Sequence, residues 1–323
     1  MFTKITRVAA MVGCALAAGT ALAAYPEKPI TVVVPFAAGG PTDVVARTLS
    51  QAMGTQLKGS LIVENAGGAG GTIGAGKVAR AAGDGYTLLF HHIGMSTAPS
   101  LYRKLDFKPL DDFIPIGAVV DVPMTLIAKP QTTQTNAKDL LAYIRANKEK
   151  INLANAGVGS ASHLCGLLLQ SAMKTDLTTV PFSGTGPAMT ALLGGNVDIM
   201  CDQTTNTTGQ IKGGKVKAFA VTSKNKLANF PDLPPLASEL PGFEVGVWHI
   251  LYAPKNTPAD VVAKLQSALQ AAIKDPMFAA KMKELGAEIM SADRQTSAGA
   301  KTLLAAEISK WAPIIQAAKV YAD

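Results

Sequence analysis

The chain is poor in charge and in cysteine. Of its 323 residues 16% are Asp, Glu, Lys or Arg, and three are Cys. The 30 Lys and Arg outnumber the 23 Asp and Glu, but they are scattered, with no basic run and no interleaving with aromatics. That argues against a nucleic-acid surface and leaves a weak attraction for small anions. No C-x-x-C, H-E-x-x-H or G-x-S-x-G occurs. The four histidines are His91, His92, His163 and His249. His91 and His92 are adjacent, and adjacent strand side chains point to opposite faces, so no metal site and no cofactor is expected. Ser160 and His163 lie close enough to bond at the start of one helix, but no acid at a fixed spacing orients a triad. An enzyme is therefore disfavoured.

What is present is apolar bulk. Hydrophobic residues make up 48% of the chain, which excludes disorder, and the length permits two domains of ordinary size. Residues 1–23 carry Lys4 and Arg7, an apolar stretch from Val8 to Leu22, and the small-residue end Ala21-Leu22-Ala23. These are the three parts of a secretory signal cleaved after Ala23. The run is short for a membrane anchor, and it continues past Cys14, which argues against a lipoprotein site. Removing Lys4 and Arg7 takes the formal net charge from +7 to +5. No later segment is apolar enough to span a bilayer, so the expected mature product is soluble and exported. It keeps Cys165 and Cys201, either paired or as two buried thiols; sequence leaves both open.

β-Branched runs end in glycine turns that feed amphipathic helices, and the pattern occurs twice. Ile30–Pro35, Leu61–Glu64 and Tyr86–Phe90 read as strands, separated by helices opening at Pro41 and Ile73. Ile151–Ala154, Thr179–Phe182 and Val197–Cys201 repeat them, with helices over His163–Met173 and Pro187–Leu193. From Gly39 to Asp84 is 45 residues and from Gly157 to Asp198 is 41. Two βαβαβ units of matched spacing imply two similar α/β lobes. Phe113–Val120 and Thr125–Ala128 read as extended segments flanking Pro123, a first crossing between lobes. Val216–Val221 and Val245–Ala253 read as extended too. Ala259–Ile273, Pro276–Gly286 and Thr296–Val320 have helical periodicity and are expected to pack back on the first lobe.

Gly71-Thr72-Ile73-Gly74-Ala75-Gly76-Lys77 nearly matches the phosphate-binding GxxxxGK loop. Val78 stands where a magnesium-binding hydroxyl belongs, and several glycines fall inside the helical pattern, so a tight turn with close packing is expected instead. The loops Ala38–Thr42 and Gly157–Ser160 are more informative. Each lies at the carboxyl end of its unit's first strand, where open α/β sheets bind ligands. Each also exposes a helix N-terminus, with free N–H groups and partial positive charge. Either alone reads equally well as a capped turn. Their recurrence favours anion recognition, with Thr42, Ser160 and Ser162 adding hydroxyl donors and a carboxylate held at each end.

Pro35-Phe36-Ala37-Ala38-Gly39-Gly40-Pro41-Thr42-Asp43 resembles the first-strand motif of the tripartite tricarboxylate transporter solute-binding proteins, the Bug (TctC) family. The likeness continues through Val63-Glu64-Asn65, Gly67–Gly71, Gly83-Asp84-Gly85-Tyr86-Thr87, Pro99-Ser100-Leu101-Tyr102 and Asp112-Phe113. It extends over Gly157-Val158-Gly159-Ser160, His163-Leu164, Val180-Pro181-Phe182, Gly194-Gly195-Asn196-Val197-Asp198, Trp248, Tyr252-Ala253-Pro254 and Thr257-Pro258. The resemblance implies an α/β, two-lobed periplasmic binding protein of the Venus-flytrap, type II-like kind, each lobe a mixed sheet flanked by helices. It would capture a carboxylate and deliver it to the membrane components of a tripartite transporter, without chemistry. The lobes expected are 24–122 with 247–323, and 123–246, in a monomer.

By the same resemblance Phe36, Gly39, Gly40, Pro41, Thr42 and Asp43 meet the ligand's proximal carboxylate through backbone groups and ordered waters. Gly157, Val158, Gly159, Ser160 and His163 meet the distal end, and Thr185, Asp202 and Trp248 line the cleft. No Arg lies near either loop, in agreement with the absence of an arginine clamp. Asp202 is an odd neighbour for an anion: ordering waters, binding an amino group and capping structure all remain open. The sequence departs from the family at His91-His92-Ile93-Gly94. An imidazole there, taken as His92, would stack on an aromatic diacid such as terephthalate, or the pair is structural, one buried and one exposed. A dicarboxylate is the expected ligand. A signalling sensor of the same acid and an exported α/β enzyme are the alternatives.

Overall fold

The computed structural model describes residues 25–322; the expected leader, its cleavage after Ala23 and Cys14 lie outside the described residues. The first unit runs β1 (Ile30–Val34), α1 (Pro41–Leu57), β2 (Leu61–Asn65), α2 (Thr72–Ala79) and β3 (Thr87–His92). β1 lies between β2 and β3 and is parallel to both. Its Ile-Thr-Val-Val-Val run suits a strand covered on both faces, and four of its five residues are buried. After α3 (Gly94–Leu101), β4 (Phe113–Ala128) and α4 (Ala137–Ala146), the second unit repeats the order. It runs β5 (Asn152–Asn155), α5 (Ala161–Met173), β6 (Thr178–Pro181), α6 (Thr185–Leu193) and β7 (Ile199–Gln203). β5 again lies between its two partners and parallel to both. The duplication expected from spacing is present in the strand order.

The chain continues through α7 (Thr204–Lys212), β8 (Lys217–Val221), β9 (Gly246–Pro254), α8 (Ala259–Ile273), α9 (Pro276–Leu285), β10 (Glu288–Ile289) and α10 (Ser297–Ala318). Strands connect in the order β2-β1-β3-β9-β4-β7-β5-β6, with β8 and β10 also on β4. The two extended segments read around Pro123 are in fact one strand of 16 residues. Its first part pairs antiparallel with β9 as far as Pro123 opposite Gly246. From Met124 onward it pairs with β7 and β8 instead. The change of partner falls at a residue with no N–H to offer a ladder. Thr222 staples the second crossing to the first. Its Oγ1 accepts from the Met124 N–H at 2.8 Å and donates to the Val245 carbonyl at 2.6 Å.

α10 packs on α3 and β4, and its Trp311 is buried. Cys165 on α5 and Cys201 on β7 form a disulfide, Cα atoms 6.1 Å apart, which settles the choice the sequence left open. Of the GxxxxGK look-alike only Gly71 belongs to the turn; Thr72–Lys77 lie in α2. A Cβ on Gly74 would lie 2.7 Å from the Ala66 carbonyl and from Pro35 Cβ, so the glycine permits close packing of helix on strand. Lys77 points to Glu64, with which it pairs.

Candidate functional site

The first loop is held by Asp43. Gly39 adopts a left-handed φ of 74°, and Gly40 caps α1 with Pro41 as its first residue, where the missing proline N–H costs nothing. Asp43 Oδ2 reaches back to accept from the Gly39 N–H at 2.8 Å and from Arg47 Nε at 2.8 Å. Its Oδ1 accepts from Asn65 Nδ2 at 2.8 Å, and the same amide reaches the Phe36 carbonyl at 3.0 Å. Burial disfavours the charge, but hydrogen bonds from Arg47, Gly39 and Asn65 hold the carboxyl below its usual range. A carboxylate so placed contributes stability above its unfolded pKa, and that contribution is lost as pH falls through the lower folded value. Asp43→Ala is expected to cost about 2–4 kcal/mol in urea unfolding at pH 7. The gap from the parent chain should shrink at pH 3.

α5 begins at Ser160, whose Oγ accepts from the His163 N–H at 3.3 Å. Ser162 Oγ accepts from the Ala156 N–H at 2.8 Å and lies 3.1 Å from Ser160 Oγ. Whichever hydroxyl donates to the other, one O–H proton of the pair stays free. α6 is capped by Gly184 and α7 by Gln203, neither through a side chain. Residues Gly39–Thr42, Ser160–Ser162, Gly184–Pro187 and Asp202–Gln203 line a single cavity of about 120 Å³. Four helix N-termini therefore converge on one small space, and among the described residues no Lys or Arg lines it. Unpaired backbone N–H groups supply its positive potential.

The imidazoles nearby are neutral. Burial pushes His249 down to about 3 and His92 well below its ordinary value. His249 Nδ1 lies 2.8 Å from the Val247 carbonyl and so carries the proton; its Nε2, 3.2 Å from Thr42 Oγ1, must accept. The Thr42 hydroxyl is thus spent on His249, and Thr42 offers a ligand its N–H rather than the hydroxyl donor expected. His92 Nδ1 accepts from the Gly94 N–H at 3.0 Å, which leaves Nε2–H as its donor. His92 lines the cavity and stacks on Phe36, centroids 4.3 Å apart. His91 is buried too, so the pair is not split into one buried and one exposed residue.

Phe36, Gly39, Gly40, Pro41, Thr42, His92, Ser160, Thr185 and Asp202 come together at the cavity. Asp43 and His163 stand behind it as supports. His163 Nδ1 accepts from the Gly159 N–H at 3.3 Å, and burial lowers the ring to about 4. Gly157 and Val158 line an adjoining cavity of about 450 Å³ with the Gly67–Gly71 turn and Tyr102. Gly159 packs there also, since a Cβ on it would lie 3.3 Å from Tyr102 Oη. Trp248 is elsewhere: it pairs opposite Asp121, buried on the face of β9 opposite to His249. Sequence reasoning missed Ala37, Ala156, Gly184 and Gln203, which line the cavity. The glycine turn before α6 was the available signal for Gly184; nothing marked Gln203.

A family model described as the tripartite tricarboxylate transporter family receptor matches residues 45–320. The chain belongs to this family. The periplasmic binding protein BugD is 51% identical, with a TM-score of 0.89 over 92% of this chain and 99% of that one. MatC from Rhodopseudomonas palustris, solved with bound malate, is 40% identical, with a TM-score of 0.86 over 90% and 100% of the two chains. A second R. palustris protein, solved with adipate, is 27% identical, with a TM-score of 0.87 over 92% and 99%. The two-lobed α/β binding-protein fold expected from the resemblance is the fold these structures share. The chain is accordingly a solute-binding receptor and not an enzyme.

Proposed function

We propose that this receptor works in the periplasm, closes on a compact dicarboxylate, and hands it to the membrane components of a tripartite transporter. The observation that carries the reading is the convergence of four helix N-termini on one cavity without a basic side chain. Backbone donors from α1 suit one carboxylate, and those of α5 and α6 suit the other. At about 120 Å³ the space is small beside pockets for drug-sized molecules, about 300–1,000 Å³. That size favours short aliphatic diacids over terephthalate. Malate, bound by one structural relative, is of this class, and adipate, bound by another, is a longer aliphatic diacid.

The moving parts are 24–122 with 247–323, and 123–246, hinged where β4 changes partners and where Val245 meets Thr222. Closure excludes water, so donors from both sides act at lower effective dielectric and the closed form gains only when both ends are engaged. Isothermal titration should find each diacid bound more tightly than its monoacid by at least 1–3 kcal/mol, about the value of one buried acceptor. Equal affinities would remove the two-ended site.

A further inference from the structure

Two polar groups at the strand crossing lack partners. Asp121 on β4 stands opposite Trp248 on β9, two positions from the point where Pro123 meets Gly246. Opposed residues of an antiparallel pair share a face. Yet Asp121 Oδ1 and Trp248 Nε1 are each buried with no hydrogen-bond partner among the described residues. The carboxylate lies over Gly246 instead, where an added Cβ would overlap both of its oxygens. Gly246 moves with 123–246 and Asp121 with the other part, so the carboxylate is caught between them. A polar hollow of about 270 Å³ opens beside it, walled by Ser223, Lys224 and Glu244 on one side and by Glu288 on the other. β10 sets Glu288 directly opposite Asp121, α10 brings Glu307 and Lys310, and the turn before α10 brings Arg294. β9 brings only the neutral indole. Burial first, and then Glu288 and Glu307, outweigh the two cations and push Asp121 up to about 6.

We propose that Asp121 is a proton-operated wedge in the hinge: ionised, it resists closure, and protonated, it lets the two parts shut on the ligand. The inference rests on the closing motion read above and not on which solute is bound. With Gly246 against it, Oδ1 has lost water and gained no donor, a cost far greater for a charge than for a neutral acid. As the parts swing open Gly246 withdraws, the hollow wets Oδ1, and the Trp248 Nε1–H opposite becomes its donor. The ionised form therefore favours the open receptor. Closure raises the proton affinity of Asp121, so closing takes up a proton and ligand affinity rises as pH falls toward 6.

The test is titration calorimetry with malate and succinate at pH 7.5 and 5.5, on the parent chain and on Asp121→Asn. Asp202, which burial pushes up to about 7, titrates in this range too, but it is common to both proteins. If closure changes the proton affinity of Asp121 about 10-fold, Asp121→Asn should bind about 10-fold more tightly than the parent at pH 7.5. At pH 5.5 the gap should narrow to about threefold. Trp248→Phe, which removes the open-form donor, should tighten binding several-fold at pH 7.5 and have no such effect when added to Asp121→Asn. Circular dichroism checks that each variant folds, and Trp248→Phe alone carries the test if Asp121→Asn does not. Equal affinities at pH 7.5, or a gap that ignores pH, would overturn the wedge and leave the receptor reading intact. If neither diacid compacts the parent in solution scattering, the hinge motion and the wedge fall together.

Discussion

Ala37→Leu is expected to weaken ligand binding on the order of 100-fold, about 2.7 kcal/mol, without unfolding the free chain. Ala37 is exposed at the rim of the cavity, so its own half gains no buried clash from a longer side chain. The obstacle is the opposite half: a Cβ on Gly184 would lie only 3.3 Å from Ala37 Cβ. Three added carbons do not fit that gap, and overpacking costs typically 1–3 kcal/mol in the closed form alone. A receptor held ajar also leaves the second carboxylate in water. Titration calorimetry reads the affinity and solution scattering reads the compaction on ligand addition. Parent-like affinity with parent-like compaction would show that this rim does not meet on closure. Gly70→Ala tests the neighbouring contact, where an added Cβ would lie 2.7 Å from the Val158 carbonyl and from Tyr102 Oη. Because Gly70 has a φ of 59°, that variant also strains its own turn.

Replacing Cys165 and Cys201 together by Ala should lower unfolding stability by about 3–5 kcal/mol. The disulfide closes a loop of sequence separation 36, between the values for which chain entropy predicts roughly 3 and 4.7 kcal/mol. Both residues are 1% exposed, so loss of sulfur also leaves a small void. The effect is local in consequence: the bond ties α5, whose first turn lines the cavity, to β7, which ends at Asp202 and Gln203. Urea denaturation measures it, and a change below 1 kcal/mol would mean that the crosslink adds little restriction to the unfolded chain.

Elements with strong local signals were legible in the sequence. β1, with its β-branched run, and α8, with apolar positions at helical spacing, lie where periodicity put them. α7 was not legible. Its Thr-Thr-Asn-Thr-Thr-Gly start is a poor helix former. What makes it a helix is its surroundings. Thr125 Oγ1 donates to Thr207 Oγ1 at 2.8 Å, Thr204 reaches the Gly286 carbonyl at 3.2 Å, and Thr208 reaches the Leu285 carbonyl at 3.3 Å. Trp248 shows the converse. The family resemblance put it in the cleft, but alternation along β9 turns its ring and that of His249 to opposite faces.

The sequence by itself determined the doubled α/β plan, the glycine turns at the ends of β1 and β5, and membership in a family of solute receptors. The first two follow from periodicity and short-range geometry, which neighbouring residues impose on one another; the third follows from the resemblance of motifs spread along the chain. Only the tertiary structure decided that four helix starts meet at one cavity, that Asp43 and His163 stand behind it, and that Asp202 and Gln203 line it. Such facts depend on strands more than a hundred residues apart in the chain lying side by side, and on burial stripping water from groups that local sequence leaves solvated.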